Sequence, residues 1–452
     1  MSISSKDLNK FYLRKNLTLA WPLAINGLLM QSMLIIDTLL IAPLGEFPLA
    51  AIGIAGTIIA FFLGLQFALS NGTQLIVGRI IGSNNNTALV QVIKQGLSIN
   101  LFSAIVFILL LSFSQEQLIS LLTDDALLAN EVQAYLSIAK YILLVNAITQ
   151  TITALLNGQG NTKTPLISYL FELPFNAVIS YVLIFGLDFS DTIISFLSIS
   201  GIGLSGAAYG SLAAITIRLT YFILYLKLNF RGSKNNTNFY RNLQGIKAHF
   251  CEISPIAANY LVLSIGNTIY LLLFSQLNIY SYAAITLVFP WIRIATQFIV
   301  AWAQANTISI THAIGKQQLS HIKPIISTCL TLGGVMACIV ASLLYVFSLN
   351  VELIYPNVGP QTYLALASIT PLYVILPLVR TYNTIAGNIL RAQGNSLPVL
   401  KIHFFTQWLV VLPLCALFVL HFKLPLFWAF ALIPLEEIIK AFPFYYLMNK
   451  NS

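Results

Sequence analysis

The stretch Leu17–Leu44, LTLAWPLAINGLLMQSMLIIDTLLIAPL, is almost wholly apolar and holds a single acid, Asp37. As an α-helix rising about 1.5 Å per residue it is on the order of 42 Å long, more than the roughly 30 Å hydrocarbon core of a bilayer demands. It reads as a membrane-spanning helix with length to spare. An ionised carboxylate at that depth is costly, and such side chains ordinarily face a protein interior or a watered cavity, where they mark a binding or proton pathway. Asp37 is therefore the first candidate functional residue. Pro22, earlier in the same stretch, cannot donate to the helix ladder and favours a bend, and Thr38 sets a hydroxyl beside the acid. A blander role for Asp37, capping a broken helix or pairing with a base, stays open at this point.

Composition agrees with a membrane protein: 58% of residues are hydrophobic and 8% charged, whereas about a quarter are charged in an ordinary soluble domain. The excess of 23 basic over 14 acidic residues raises the question of nucleic acid, and the placement of the charges answers it. They sit in alternate loops, as membrane orientation requires, and no nucleic-acid partner is expected. Cys251, Cys329, Cys338 and Cys415 lie in or beside apolar segments without CxxC or CxxH spacing, so neither a zinc site nor a disulfide framework is indicated. Lys6, Lys10, Arg14 and Lys15 precede an apolar run too long for a signal-peptide core, which reads as an uncleaved first span.

Apolar segments fall at 17–44, 49–78, 95–114, 130–156, 165–187, 201–229, 255–277, 282–311, 323–348, 361–390, 397–420 and 424–447, predicting an all-α polytopic protein of twelve transmembrane helices. Loops after even-numbered helices carry Arg79, Lys94, Lys163, Arg231, Lys234, Arg241, Lys247, Lys316, Lys323, Arg391 and Lys401. The opposite loops carry Glu46, Glu116, Asp124, Asp125, Asp188, Asp191 and Glu352. The positive-inside rule then places both termini and the 230–250 stretch in the cytoplasm.

That stretch is the only extended polar segment near the middle, and the sequences on either side repeat. Pro22 matches Pro255, the LAA at 49–51 matches the YAA at 282–284, and Gly82 matches Gly315, all at an offset of 233; Gln159-Gly160-Asn161 returns as Gln393-Gly394-Asn395 at 234. Six helices per half, both halves entering from the cytoplasm, make parallel repeats related by an axis along the membrane normal. The expected organisation is an N-terminal six-helix bundle at 1–229, a cytoplasmic linker at 230–250 and a C-terminal six-helix bundle at 251–452, a design suited to alternating access. The repeat does not copy the acid, since position 270 is Tyr270.

The residues resemble those of the multidrug and toxic compound extrusion (MATE) family of secondary transporters over essentially the whole chain. The matching pieces are WP followed by IIDTLLIAPLG and LAAIGIA in helices 1 and 2, NGQGNTKTPL after helix 4, FNAVISYVLIFG in helix 5, GLSGAAYGS in helix 6 and LRAQGN after helix 10. The resemblance implies an antiporter that expels small organic, often cationic, compounds in exchange for H⁺ or Na⁺, with no cofactor. It makes Asp37 the ion-responsive acid, puts Pro22 at the matching bend, and gives Asn176 and Ser211 the amide and hydroxyl places of a supporting cluster. Asp37 and Asn176 are the metal ligands implied if the ion is Na⁺. Where many members have an aspartate four residues after the asparagine this chain has Ser180, and the glutamate often found in helix 7 is missing from ANYLVLSIGN, so H⁺ is favoured over Na⁺.

Glu172, Asn176 and Ser180, at i, i+4, i+8, share one face of helix 5. Glu172 can relay a proton or hold a second cation, or, just before Pro174, it can merely stabilise a kinked helix. Within the C-terminal half, Glu436 and Lys440 at i, i+4 read as a structural pair. Arg293 and Arg380, with Tyr270, are possible cleft residues: the two arginines lock helices or admit anionic parts of a substrate. An alternative is a flippase for lipid-linked or anionic substrates, which needs a cleft rich in Arg and Lys. An enzyme is not expected, because HExxH, GxSxG and paired-aspartate motifs are missing, and without GxxxxGK[ST] the energy must come from an ion gradient. The expected setting is the cytoplasmic (inner) membrane of a bacterium, as a monomer among membrane lipids.

Overall fold

The computed structural model describes residues 5–120, 122–187, 199–229, 243–356 and 358–450, nearly all of them helical. In chain order the long helices are α1 (Ser5–Ile41), α2 (Glu46–Gly82), α3 (Asn86–Ser120), α4 (Ala126–Ala139 and, after a 44° bend, Ile142–Gly158), α5 (Lys163–Phe185), α6 (Leu204–Asn229), α7 (Leu243–Phe274), α8 (Ile279–Gly315), α9 (Ile322–Leu349), α10 (Pro360–Ala392), α11 (Ser396–His421) and α12 (Leu426–Lys450). Each expected segment has its helix. Ten are long and apolar enough to cross a membrane, and the bent α4 makes an eleventh. α12 has the length but carries Glu436, Glu437 and Lys440 in its middle. This is an all-α, multi-pass membrane protein, the architecture in which every backbone N–H and C=O can be satisfied without water. A two-stranded antiparallel hairpin, β1 (Gly186–Leu187) and β2 (Ile199–Ser200), follows α5.

Helices overrun the apolar segments at several ends. α1 begins at Ser5, ahead of Lys10, Arg14 and Lys15, and α7 begins at Leu243, so 243–250 of the expected linker is helical. Hydropathy marks the part of a helix that sits in lipid, whereas hydrogen bonding carries the helix on into its polar flank. Arg231, Lys234 and Arg241 of that linker, and Asp188 and Asp191 of the loop after α5, lie outside the described residues.

The repeat extends to the ends of helices. Gly160 after α4 and Gly394 after α10 have φ of +85° and +91°, a left-handed conformation that glycine adopts without a Cβ penalty. Both turns close alike: Asn161 N donates to Leu156 O at 2.8 Å and Asn395 N to Leu390 O at 2.8 Å, the six-to-one bond of a Schellman cap. Identical Gln-Gly-Asn triplets thus stop two helices by one mechanism.

Packing gathers the chain into two compact units: Ile25–Val77 with Asn86–Ile253, and Met1–Ala24 with Gly78–Asn85 and Ser254–Ser452. The first unit has a core that includes Ile41, Ala55, Leu111, Leu136 and Ala207. In the second, Tyr270, Phe274, Ile369 and Phe430 form one cluster and Ala20, Trp302, Ile385 and Phe444 another. The second unit takes in the start of α1: Asn16 Nδ2 donates to Asn306 Oδ1 at 2.5 Å, and Ser309 Oγ donates to Asn16 Oδ1. Large apolar side chains such as Phe113 and Leu343 remain outside, as expected of surfaces that meet lipid rather than water.

Candidate functional site

In the first unit α1, α5 and α6 bring four of the expected residues together. Asp37 is buried, 4% exposed, and Ser211 Oγ donates to its Oδ2 at 3.0 Å. Asn176 Nδ2 donates to Ser211 Oγ at 3.0 Å and reaches Ser180 Oγ at 3.5 Å. The chain Asn176–Ser211–Asp37 thus runs across three helices. Close approach of α5 and α6 makes it possible, because a Cβ at Gly210 would strike Ser180 Oγ and backbone; small residues let membrane helices draw together in this way. Two acceptors, Asp37 Oδ1 and Asn176 Oδ1, are buried without a hydrogen-bond donor among the described residues. Tyr135 on α4 is near enough to feel the Asp37 charge. The prolines sit inside their helices, Pro22 in α1 and Pro174 in α5, and neither can donate to the carbonyl one turn back.

Glu172 stands apart from this cluster. Although it shares a face of α5 with Asn176, its Oε2 pairs with Arg218 Nη1 of α6 at 3.4 Å, both side chains being buried. Arg218 also donates from Nε to Ser168 Oγ and from Nη2 to Thr153 Oγ1, each at 3.2 Å. Its guanidinium lies 3.6 Å from the Tyr169 ring centre, a cation–π contact. Each nitrogen of the guanidinium donates a hydrogen bond. Of the unit's two buried acids only Asp37 is therefore left without a basic partner, because Arg218, which is not among the expected site residues, offsets Glu172. Its signal was a base in mid-helix; its partner stands 46 positions away on the neighbouring helix.

Acids are also present in the second unit, on α12 instead of α7. Tyr270 Oη donates to Glu436 Oε2 at 2.6 Å, and Lys440 pairs with Glu436 at i, i+4, the pair expected from spacing, and reaches Glu437 at 3.9 Å. Arg380 Nε donates to Glu437 Oε1 at 3.1 Å, and Asn383 Nδ2 to Glu437 Oε2 at 2.9 Å. Two acids are thus balanced by two bases, and Arg380 ties α10 to α12. Tyr270 is 5% exposed and engaged with an acid. Arg293, on the exposed side of α8, stays outside this network and acts electrostatically on Tyr260.

A repeated helical membrane chain in which one buried acid, near its start, lacks a basic partner among the described residues has the build of a carrier of solutes. Residues 22–182 and 255–417 match the MatE family model, and the chain belongs to that family, the multidrug efflux transporters. The paired matches begin at Pro22 and Pro255, the landmarks of the internal repeat. The chain is similar to the uncharacterized transporter YisQ of Bacillus subtilis, 22% identical over 412 residues covering 89% of this chain and 87% of YisQ. It is also similar to the multidrug resistance protein NorM of Aliivibrio fischeri, 22% identical over 87% of this chain and 84% of NorM. The Vibrio cholerae MATE transporter VcmN in its bent form shares the fold, with a TM-score of 0.84 at 18% identity over 98% of both chains.

Proposed function

We propose that this chain is a proton-coupled antiporter that expels organic cations by alternating access, with Asp37 the group that exchanges a proton for cargo. One observation carries the reading: of the buried acids among the described residues, Asp37 alone lacks a basic partner, since Glu172 has Arg218, Glu436 has Lys440 and Glu437 has both Arg380 and Lys440. A carboxylate at this depth is stable only when something neutralises it. With no resident base, a proton or a visiting cation does so, and the two compete. Proton arrival from outside removes the charge that holds the cargo; return to the inward-open state releases the proton.

The donor set favours H⁺ over Na⁺. Hard cations gather about six or more oxygen ligands, and the open acceptors here are Asp37 Oδ1 and Asn176 Oδ1, with Ser180 adding a hydroxyl and not a second acid. A proton needs a single lone pair. The basic loops support cytoplasmic termini, and the bacterial relatives support the inner membrane. The multidrug-resistance names carried by relatives such as NorM support small organic cargo.

Proteoliposomes loaded with a fluorescent organic cation provide the test, under an imposed pH gradient and then a Na⁺ gradient. Export driven by the pH gradient in the wild type and abolished in Asp37→Asn, with the variant's thermal unfolding unchanged, is the expected result. Unchanged export by Asp37→Asn overturns the role of Asp37, and export driven by Na⁺ alone overturns proton coupling.

A further inference from the structure

Arg380 lies well inside α10, about 18 Å along the helix axis from Ala392, yet its side chain is 37% exposed. An arginine at such a depth needs water or an anionic partner. Its partner in the protein is incomplete. Glu437 receives Arg380 Nε on one oxygen, Asn383 Nδ2 on the other, and shares its charge with Lys440. Glu436 is taken by Lys440 and Tyr270. The Nε bond is the only hydrogen bond of the guanidinium among the described residues, so Nη1 and Nη2 are left to whatever occupies the exposed side.

A guanidinium held along one edge and open at the other presents a planar fork of N–H donors, which matches the two oxygens of a carboxylate or phosphate and has no use for a cation. We propose that Arg380 is an oxyanion-binding subsite in the second unit, taking a carboxylate or phosphate group, with Glu437, Asn383 and Lys440 as the residues that position it. The acids here are already matched by bases, so the subsite adds recognition of a negative group to a carrier whose Asp37 receives positive ones. It rests on the transporter reading, but its test is equilibrium binding without any gradient, so its failure leaves the coupling experiment on Asp37 untouched.

The full chain is placed in nanodiscs of phosphatidylcholine, and binding of rhodamine B, which bears a carboxylate, is compared by fluorescence anisotropy with its ethyl ester, which does not. Wild type is expected to favour rhodamine B by roughly ten-fold or more, the scale of a charge-assisted hydrogen bond. Arg380→Gln, whose amide can still donate to Glu437, loses that preference while binding the ester unchanged, and Arg380→Lys keeps part of it. Adding phosphatidylglycerol separates the sources of the oxyanion. If it weakens rhodamine B binding to wild type but not to Arg380→Gln, lipid phosphate shares the subsite; if it has no effect, the subsite is reserved for carboxylate-bearing solutes. A wild type that does not favour rhodamine B over the ester overturns the proposal whether or not any variant folds, as does an equal loss of both probes in Arg380→Gln.

Discussion

Removing the Arg218 guanidinium strands Glu172, a buried acid with no other basic partner among the described residues, and leaves Ser168 and Thr153 without their donor. Breaking a buried pair from one side costs about 3–5 kcal/mol, whereas replacing both partners with apolar groups is often close to neutral. Arg218→Met is therefore expected to lower the thermal unfolding temperature sharply, and Glu172→Leu combined with Arg218→Met to recover most of the loss; a double variant as unstable as the single would show that the rest of the polar cluster is what matters. Asp37 was legible in the sequence because it is the single acid of the apolar stretch Leu17–Leu44. Glu172 was legible as an acid but not as a neutralised one, because its partner is distant in sequence and adjacent only once α5 and α6 pack. Tyr135 gave no signal at all, being one tyrosine among 20.

Helices α5 and α6 meet closely enough that a Cβ at Gly210 has nowhere to go. Gly210→Ala must push the pair apart or displace Ser180, an overpacking cost of about 1–3 kcal/mol, and the shift falls on the 3.0 Å bond between Asn176 and Ser211. Lower thermal stability together with reduced coupled transport is expected although Asp37 is untouched; a variant with wild-type stability and transport would mean that the spacing is slack. Helix existence was readable from apolar runs, but helix winding was not. α11, the counterpart of α5, carries π-helical turns at Phe405–Val411 and Leu417–His421, which wind extra residues into a helix without a loop. They are invisible to hydropathy, and they help explain why 26 residues in α11 correspond to 23 in α5.

Across the whole molecule the repeat was legible because Pro22 and Pro255, and the two Gln-Gly-Asn triplets, keep their places. What the halves do with charge was not, because that depends on side chains from different helices meeting. Lys440 is the case with the widest consequence. An ammonium on a tether, seated between Glu436 and Glu437, never dissociates into the medium, so those two acids have no vacancy to trade. Under the proposed coupling a single exchangeable charge remains, and the stoichiometry is one proton for one cargo molecule. For a monovalent organic cation the exchange is then electroneutral, and a membrane potential, worth about 2.3 kcal/mol per 100 mV for each net charge moved, has nothing to act on. A potassium diffusion potential imposed at equal pH on both sides is expected to leave export of such a cation unchanged and to alter export of a zwitterion, whose exchange for a proton moves one charge. Potential-driven export of the monovalent cation would mean that a second charge travels.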